Sequence, residues 1–162
     1  MMKWSFPVLI LAALPLPAQA RDSLGVFEGW GAFRDARTPR CYAIAEPVEP
    51  KPAKADWRAF ASVGNWPRQR VRGQFQARLS RQRAPNTRVT LAIGDRRIAL
   101  VAGDANAWAA NKRDDAAIIA AIRSTRSMSV EATGRDGRGF ADTYDLRGAA
   151  TAIDAAALGC GR

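Results

Sequence analysis

The sequence predicts a mainly β fold, an antiparallel β-sandwich or a small barrel with two short helices. Three observations favour this class. Residues 70–80 alternate apolar with polar side chains at a period of two, as a half-buried strand does. Residues 89–100 have the pattern of a tight hairpin. Seven or eight strands and two short helices can be counted along the chain, with no internal repeat and no alternation of strands with helices, which favours antiparallel pairing.

The N-terminal half contains three short predicted strands and one loop. The strands cover residues 29–33, residues 41–45 and residues 58–63. Residues 46–56 hold three prolines among charged side chains, and proline cannot donate to a sheet ladder. We therefore expect an exposed, partly extended loop there.

The hairpin has a register that can be deduced. With Gly94-Asp95 as a two-residue turn, the apolar side chains of both strands fall on one face. The expected partners are Ile93 with Arg96, Leu91 with Ile98, and Val89 with Leu100.

The C-terminal third is predicted as helix, hairpin, helix. Residues 114–123 begin with two aspartates, which suit the positive end of a helix dipole. Strands are expected at residues 127–132 and 139–147, joined by a glycine-rich turn at residues 134–137. A last short helix is expected at residues 149–158.

Residues 1–20 have the features of a secretory signal peptide. Lys3 precedes an apolar run, and Ala18-Gln19-Ala20 matches the small-x-small cleavage pattern. The run is too short to cross a bilayer, so no transmembrane anchor is expected. The predicted mature protein is one domain, residues 21–162, in the periplasm or secreted.

The two cysteines, Cys41 and Cys160, are expected to form a disulfide. In an oxidising compartment, two cysteines that are the only ones in a chain more often form a disulfide than remain free thiols. The chain has no C-x-x-C motif, which argues against a redox role.

The absence of histidine narrows the chemistry. It excludes histidine-based acid–base catalysis, Ser-His and Cys-His nucleophile pairs, and histidine metal sites. Two cysteines are too few for an iron–sulfur cluster or a four-thiolate zinc site. We therefore predict no catalytic residue, no metal and no cofactor.

Two polar residues are predicted to lie inside the last strand. Asp142 and Tyr144 share a face with Phe140 and Leu146, so Asp142 should point inward. A buried carboxylate is costly unless it is paired, so an arginine or backbone N–H groups should meet it. A structural role is favoured over that of a general base with a raised pKa.

An acid-free stretch, residues 57–94, carries eight arginines. Arg70, Arg72 and Arg78 are expected to project from one strand face, beside Gln74 and Gln76, as a candidate anion-binding stripe. The alternative is an ordinary solvated face. For an exported protein, lipopolysaccharide phosphates or other acidic envelope polymers are better candidate partners than nucleic acid. The tryptophans are assigned to the core and its rim: Trp30, Trp57, Trp66 and Trp108.

Several short motifs in the second half resemble the invasion-associated locus B family. They include Ala107-Trp108, Ser127-Met128-Ser129-Val130, Arg138-Gly139, the segment Asp142-Thr143-Tyr144-Asp145-Leu146-Arg147-Gly148, and Cys160. That family comprises small exported alphaproteobacterial proteins. The resemblance implies an envelope protein with a compact β-rich domain, and it implies no catalytic residues.

Together these features predict a non-enzymatic envelope protein that acts by binding an envelope polymer or another envelope protein. One alternative is a basic-surface module for anionic glycans or lipopolysaccharide phosphates. The other is a carboxylate-based hydrolase, against which the chain lacks the G-x-S-x-G motif and any metal-ligand cluster.

Overall fold

Ten antiparallel strands and two helices make up the computed structural model, which describes residues 21–35, 37–48 and 58–161. The strands are β1 Asp22–Phe27, β2 Trp30–Asp35, β3 Arg40–Ala45, β4 Phe60–Trp66, β5 Val71–Arg78, β6 Val89–Ile93, β7 Arg96–Ala102, β8 Asn106–Ala109, β9 Ser127–Thr133 and β10 Gly139–Asp145. The helices are α1 Lys112–Ile122 and α2 Ala149–Gly159. The predicted mainly β class is confirmed.

The strands form one sheet that folds over on itself. Their order is β1-β2-β3-β4-β5-β8-β7-β6-β9-β10, and the sheet does not close into a barrel. Ser80, just after β5, donates its backbone N–H to the carboxylate of Asp142 in β10, 2.8 Å away. Because strands that stand far apart in the order make such contacts, the fold is the sandwich of the two predicted alternatives.

The helices lie on the inner face of the sheet and complete the core. Helix α2 packs against β1 to β4, and α1 packs against β5, β6 and β8. Trp30 and Phe75 are fully buried between the layers. The buried side of α1 consists of Ile118, Ala121 and Ile122, the seam that its 3.6-residue period predicts.

Helix α1 begins at residue 112, two residues earlier than predicted, because Asn111 caps it. The Asn111 side-chain oxygen accepts a hydrogen bond from the Asp114 N–H at 3.0 Å. Asp115, in the first turn, accepts a hydrogen bond from the Phe75 N–H at 2.7 Å. Strand β8 pairs with β5 only from Gln76 onward, so the carboxylate satisfies a strand donor that no neighbouring strand reaches.

Cys41 and Cys160 form a disulfide, as predicted. Cys41 is fully buried near the start of β3, and Cys160 directly follows α2. Their Cα atoms are 5.7 Å apart although 119 residues separate them in sequence. The bridge therefore attaches the C-terminal helix to the middle of the meander formed by β1 to β5.

The hairpin register is confirmed in full. Ile93 pairs with Arg96, Leu91 with Ile98, and Val89 with Leu100. Gly94 has a φ of +59°, which a two-residue turn of this kind requires at its first position.

Two strands were not predicted, and several strand boundaries differ from the prediction. Strand β1 contains a register shift between Ser23 and Gly25, and β8 has only four residues, so neither shows a sustained period. The strand expected at residues 58–63 covers Phe60–Trp66. The predicted signal peptide and most of the loop at residues 46–56 lie outside the described residues.

Strand β5 is shorter than predicted and is interrupted by a bulge. Gly64 pairs with Gln74, but Trp66 pairs with Val71, so β5 has one extra residue between these pairs. Gly73, with a φ of +67°, lies in the bulge, and its N–H donates to the Asn65 side-chain oxygen at 3.0 Å. The regular alternation of residues 70–80 is therefore broken near its start.

Candidate binding surface

Asp142 and Tyr144 lie inside the protein. Asp142 is 5% exposed and Tyr144 is fully buried. The carboxylate accepts hydrogen bonds from the backbone N–H and the side chain of Ser80. Burial raises the pKa of Asp142, and the Ser80 hydrogen bonds and the charge of Arg81 oppose that rise. Solvent hardly reaches this carboxylate. Its hydrogen bonds to Ser80 hold the chain after β5 against β10.

The Tyr144 hydroxyl is the second polar group of this interior pair. Burial, and secondarily the nearby Asp142 charge, raises the pKa of Tyr144. Among the described residues its hydroxyl has no hydrogen-bond partner. The pair thus contains one satisfied and one unsatisfied buried group, and neither faces an open cleft.

The three arginines Arg70, Arg72 and Arg78 do not share one strand face, contrary to the prediction. Arg70 lies outside β5, in left-handed conformation with a φ of +55°, after a short 3-10 turn at Pro67–Gln69. Arg72 lies at the bulge. Arg78 lies six residues further along, about 20 Å away at strand spacing, and is half-buried opposite Asn106. An uninterrupted strand would have aligned the three arginine side chains on one face, but the bulge and the turn separate them.

Arg70 and Arg72 border a common cavity of about 210 Å³. Asn65, Cys160 and Gly161 also line this cavity. The C-terminal end of α2, the negative end of its helix dipole, borders the cavity on the other side. The cavity is thus cationic on the sheet side and electronegative on the helix side.

Arg83, another arginine of the acid-free stretch, has a structural role. Its guanidinium donates to four backbone carbonyls, at 2.7 to 3.2 Å. These carbonyls belong to Ala84, Thr87, Ala102 and Gly103. Arg83 therefore fixes the connection between β5 and β6 against the end of β7.

Two tryptophans assigned to the core and its rim lie on the outward face of the sheet. Gly64 pairs with Gln74, and Gln76 pairs with Trp108, so these side chains share the face opposite the buried Phe75. A Cβ on Gly64 would lie 2.5 Å from the Trp66 ring, which shows that this ring rests on the glycine.

The outward cluster Trp66, Gln74, Gln76 and Trp108 is half-buried throughout. Strand β5 carries the two amides, and the rings stand on the strands to either side of it. We name this set the Trp–Gln face. The signal in the sequence is the Gly64-x-Trp66 spacing, because a ring two residues from a glycine can cover its bare backbone. No comparable pattern in the sequence predicts that β8 pairs with β5.

Other site classes find no support in the described parts of the chain. Within residues 21–35, 37–48 and 58–161, neither helix has the length and hydrophobicity of a transmembrane span. Within the same ranges no cluster of three or more histidine, cysteine or acidic side chains could hold a metal ion.

Comparison with known proteins relates the chain to one solved structure by fold. No family model matches the sequence, and no curated protein matches it. The crystal structure of invasion associated protein B from Bartonella henselae aligns with a TM-score of 0.59 and 14% sequence identity. The alignment covers 83% of this chain and 96% of that chain. The protein is thus similar in fold to invasion associated protein B.

Proposed function

We propose that the protein is an exported, non-enzymatic component of the cell envelope that acts by binding. The observation that carries the proposal is the fold similarity to invasion associated protein B, which extends over nearly all of that chain. The motifs in residues 107–160 resemble the same family.

The disulfide gives independent support for export. Disulfides persist in oxidising compartments and are rare in the cytosol, and here the bridge closes most of the domain. Burial raises the pKa of two carboxyl groups: Asp142, which is sealed inside the sandwich, and Asp115, which accepts a hydrogen bond from the Phe75 N–H. Both hold backbone groups in place, which favours a binding role over an enzymatic one.

Export is tested by expressing the full chain and separating periplasm from cytoplasm by osmotic shock. Intact mass spectrometry after alkylation without reductant should find a periplasmic product that begins at Arg21, with neither cysteine alkylated. A matched L11R variant breaks the apolar run of the leader and should stay in the cytoplasm with its thiols alkylated. A wild-type product that keeps residues 1–20 and two free thiols would overturn the proposal.

A second candidate function, binding of an anionic envelope polymer, is favoured by one observation. Arg70 and Arg72 are both exposed and border the same cavity. Arg78 is not part of this site. The double variant R70E/R72E should elute from immobilised lipopolysaccharide at lower salt than wild type does. The control R135E/R138E makes the same charge change in the β9–β10 turn and should elute later than R70E/R72E; equal elution would mean net charge alone is responsible.

A further inference from the structure

The Trp–Gln face combines flat apolar rings with amide groups, a chemistry suited to sugar rings. A sugar ring presents C–H groups on its faces and hydroxyls around its edge. The first can stack on an indole ring, and the second can exchange hydrogen bonds with an amide, which both donates and accepts. Gln74 and Gln76 lie on the strand between the two rings. The same face therefore offers both ring stacking and amide hydrogen bonds.

The geometry of the face matches an extended chain. Trp66 rests on Gly64 in β4, and Trp108 stands on β8, with β5 between them. The rings stand two inter-strand spacings apart, about 10 Å across the sheet. They are also displaced along the strands, because Trp66 pairs with Val71 and Trp108 pairs with Gln76, so the face is long enough for several linked sugar units. Because Gly64 has no side chain, the Trp66 ring lies low on the sheet, and part of its surface is exposed to solvent.

The charge of the surroundings selects among glycans. Strands β4, β5 and β8 contain no acidic residue, and the whole chain has a net charge of +10. Arg78, two residues after Gln76 in β5, lies on the same face as Gln74 and Gln76 and pairs with Asn106 of β8. Positive charge is therefore present at the Trp108 end of the face, where it complements an anionic ligand.

We propose that the Trp–Gln face binds an acidic glycan, a chain of sugar rings that carries negative charges. This inference rests on the binding function proposed above and names the ligand class. The sugar rings stack on Trp66 and Trp108 and exchange hydrogen bonds with Gln74 and Gln76. Arg78 attracts the acidic groups at one end.

Three polymers separate the contributions of sugar and charge. Polygalacturonate has both, dextran has the sugar rings without charge, and poly-L-glutamate has the charge without sugar rings. Titration followed by tryptophan fluorescence at moderate salt should give at least about tenfold tighter binding to polygalacturonate than to either other polymer. Equal binding of poly-L-glutamate, equal binding of dextran, or no binding of polygalacturonate would each overturn the inference and leave the export test unaffected.

Variants locate the site. W66A, W108A and Q74A/Q76A should each weaken polygalacturonate binding by about tenfold, as residues central to an interface do. F140A removes a half-buried aromatic side chain from β10 and should leave the affinity unchanged. Unchanged affinity in folded W66A and W108A would overturn the assignment.

A second variant keeps the test decisive if a tryptophan substitution prevents folding. In G64A the added Cβ would overlap the Trp66 ring, so the ring must move off the sheet while the tryptophan remains. We expect G64A to fold and to lose binding by a similar factor. In the wild type, polygalacturonate should also protect tryptophan fluorescence from quenching by acrylamide, and an absence of protection would contradict stacking.

Discussion

Trp30 donates its indole N–H to the backbone carbonyl of Asp145 at 2.8 Å, across 115 residues of sequence. The bond links the start of β2 to the end of β10, strands that stand near opposite ends of the sheet order. Trp30 is fully buried, so the same side chain closes the sandwich and fills its core.

Replacing Trp30 by Phe should therefore be costly. The W30F change leaves a buried carbonyl without its donor and a cavity where the larger ring was. We expect a loss of about 2–4 kcal/mol in the free energy of unfolding, measured by urea denaturation. W108F, at a half-buried position on the outward face, is the control and should cost less than about 1 kcal/mol. Equal costs for the two variants would show that Trp30 does not close the sandwich.

The disulfide should supply a large part of the stability. The double variant C41A/C160A opens a loop of 119 residues and should lose about 2–5 kcal/mol of unfolding free energy. Alanine is chosen because Cys41 is fully buried. Wild type treated with dithiothreitol should unfold at nearly the same urea concentration as the untreated variant. A wild-type midpoint that does not respond to reductant would contradict this role.

Asp142 should make stability depend on pH. Because the pKa of Asp142 is raised above 3.8 in the folded state, that state holds this proton more tightly than the unfolded chain does. This carboxyl therefore lowers stability as the pH rises from 3.8 through its raised pKa, and the loss persists at higher pH. In D142N that loss is absent, so the stability of D142N relative to wild type should increase between pH 4 and pH 8. Urea denaturation at both pH values measures it, and a constant or decreasing difference would refute the prediction.

The hydrogen bonds that Asp142 accepts contribute to stability separately from its charge. D142A removes the acceptor of the Ser80 N–H in a buried place, which should cost about 1–3 kcal/mol at any pH. The S80A variant keeps that backbone bond and should cost less than D142A. The reverse order would mean that the hydroxyl, and not the backbone amide, holds the carboxylate.

Gly148 should tolerate no side chain. It has a φ of +78°, and a Cβ there would lie 2.1 Å from the backbone oxygen of Phe27. G148A should therefore lose more than about 2 kcal/mol, since the left-handed conformation alone costs an alanine about 1–2 kcal/mol. Gly137, with a φ of +74° and open space around it, is the matched control. G137A should show only the conformational cost, and thermal unfolding of the two proteins checks the difference.

The features that could be predicted from the sequence depend on neighbouring residues or on how many residues of one type the chain contains. The hairpin register follows from a two-residue turn and an alternating pattern, and helix α1 follows from its aspartates and apolar seam. The disulfide follows from there being two cysteines, Cys41 and Cys160, and no others. The burial of Asp142 follows from its place in an alternating strand.

The contacts between strands that are distant in sequence could not be predicted in this way. The bulge at Gly73 separates Arg72 from Arg78, because the extra residue is defined by pairing with β4 and not by the pattern of β5 itself. The pairing of β8 with β5 brings Trp108 opposite Gln76, 32 positions earlier in the chain. Such contacts depend on the order of strands in the folded sheet, a property that short-range periodicity does not contain.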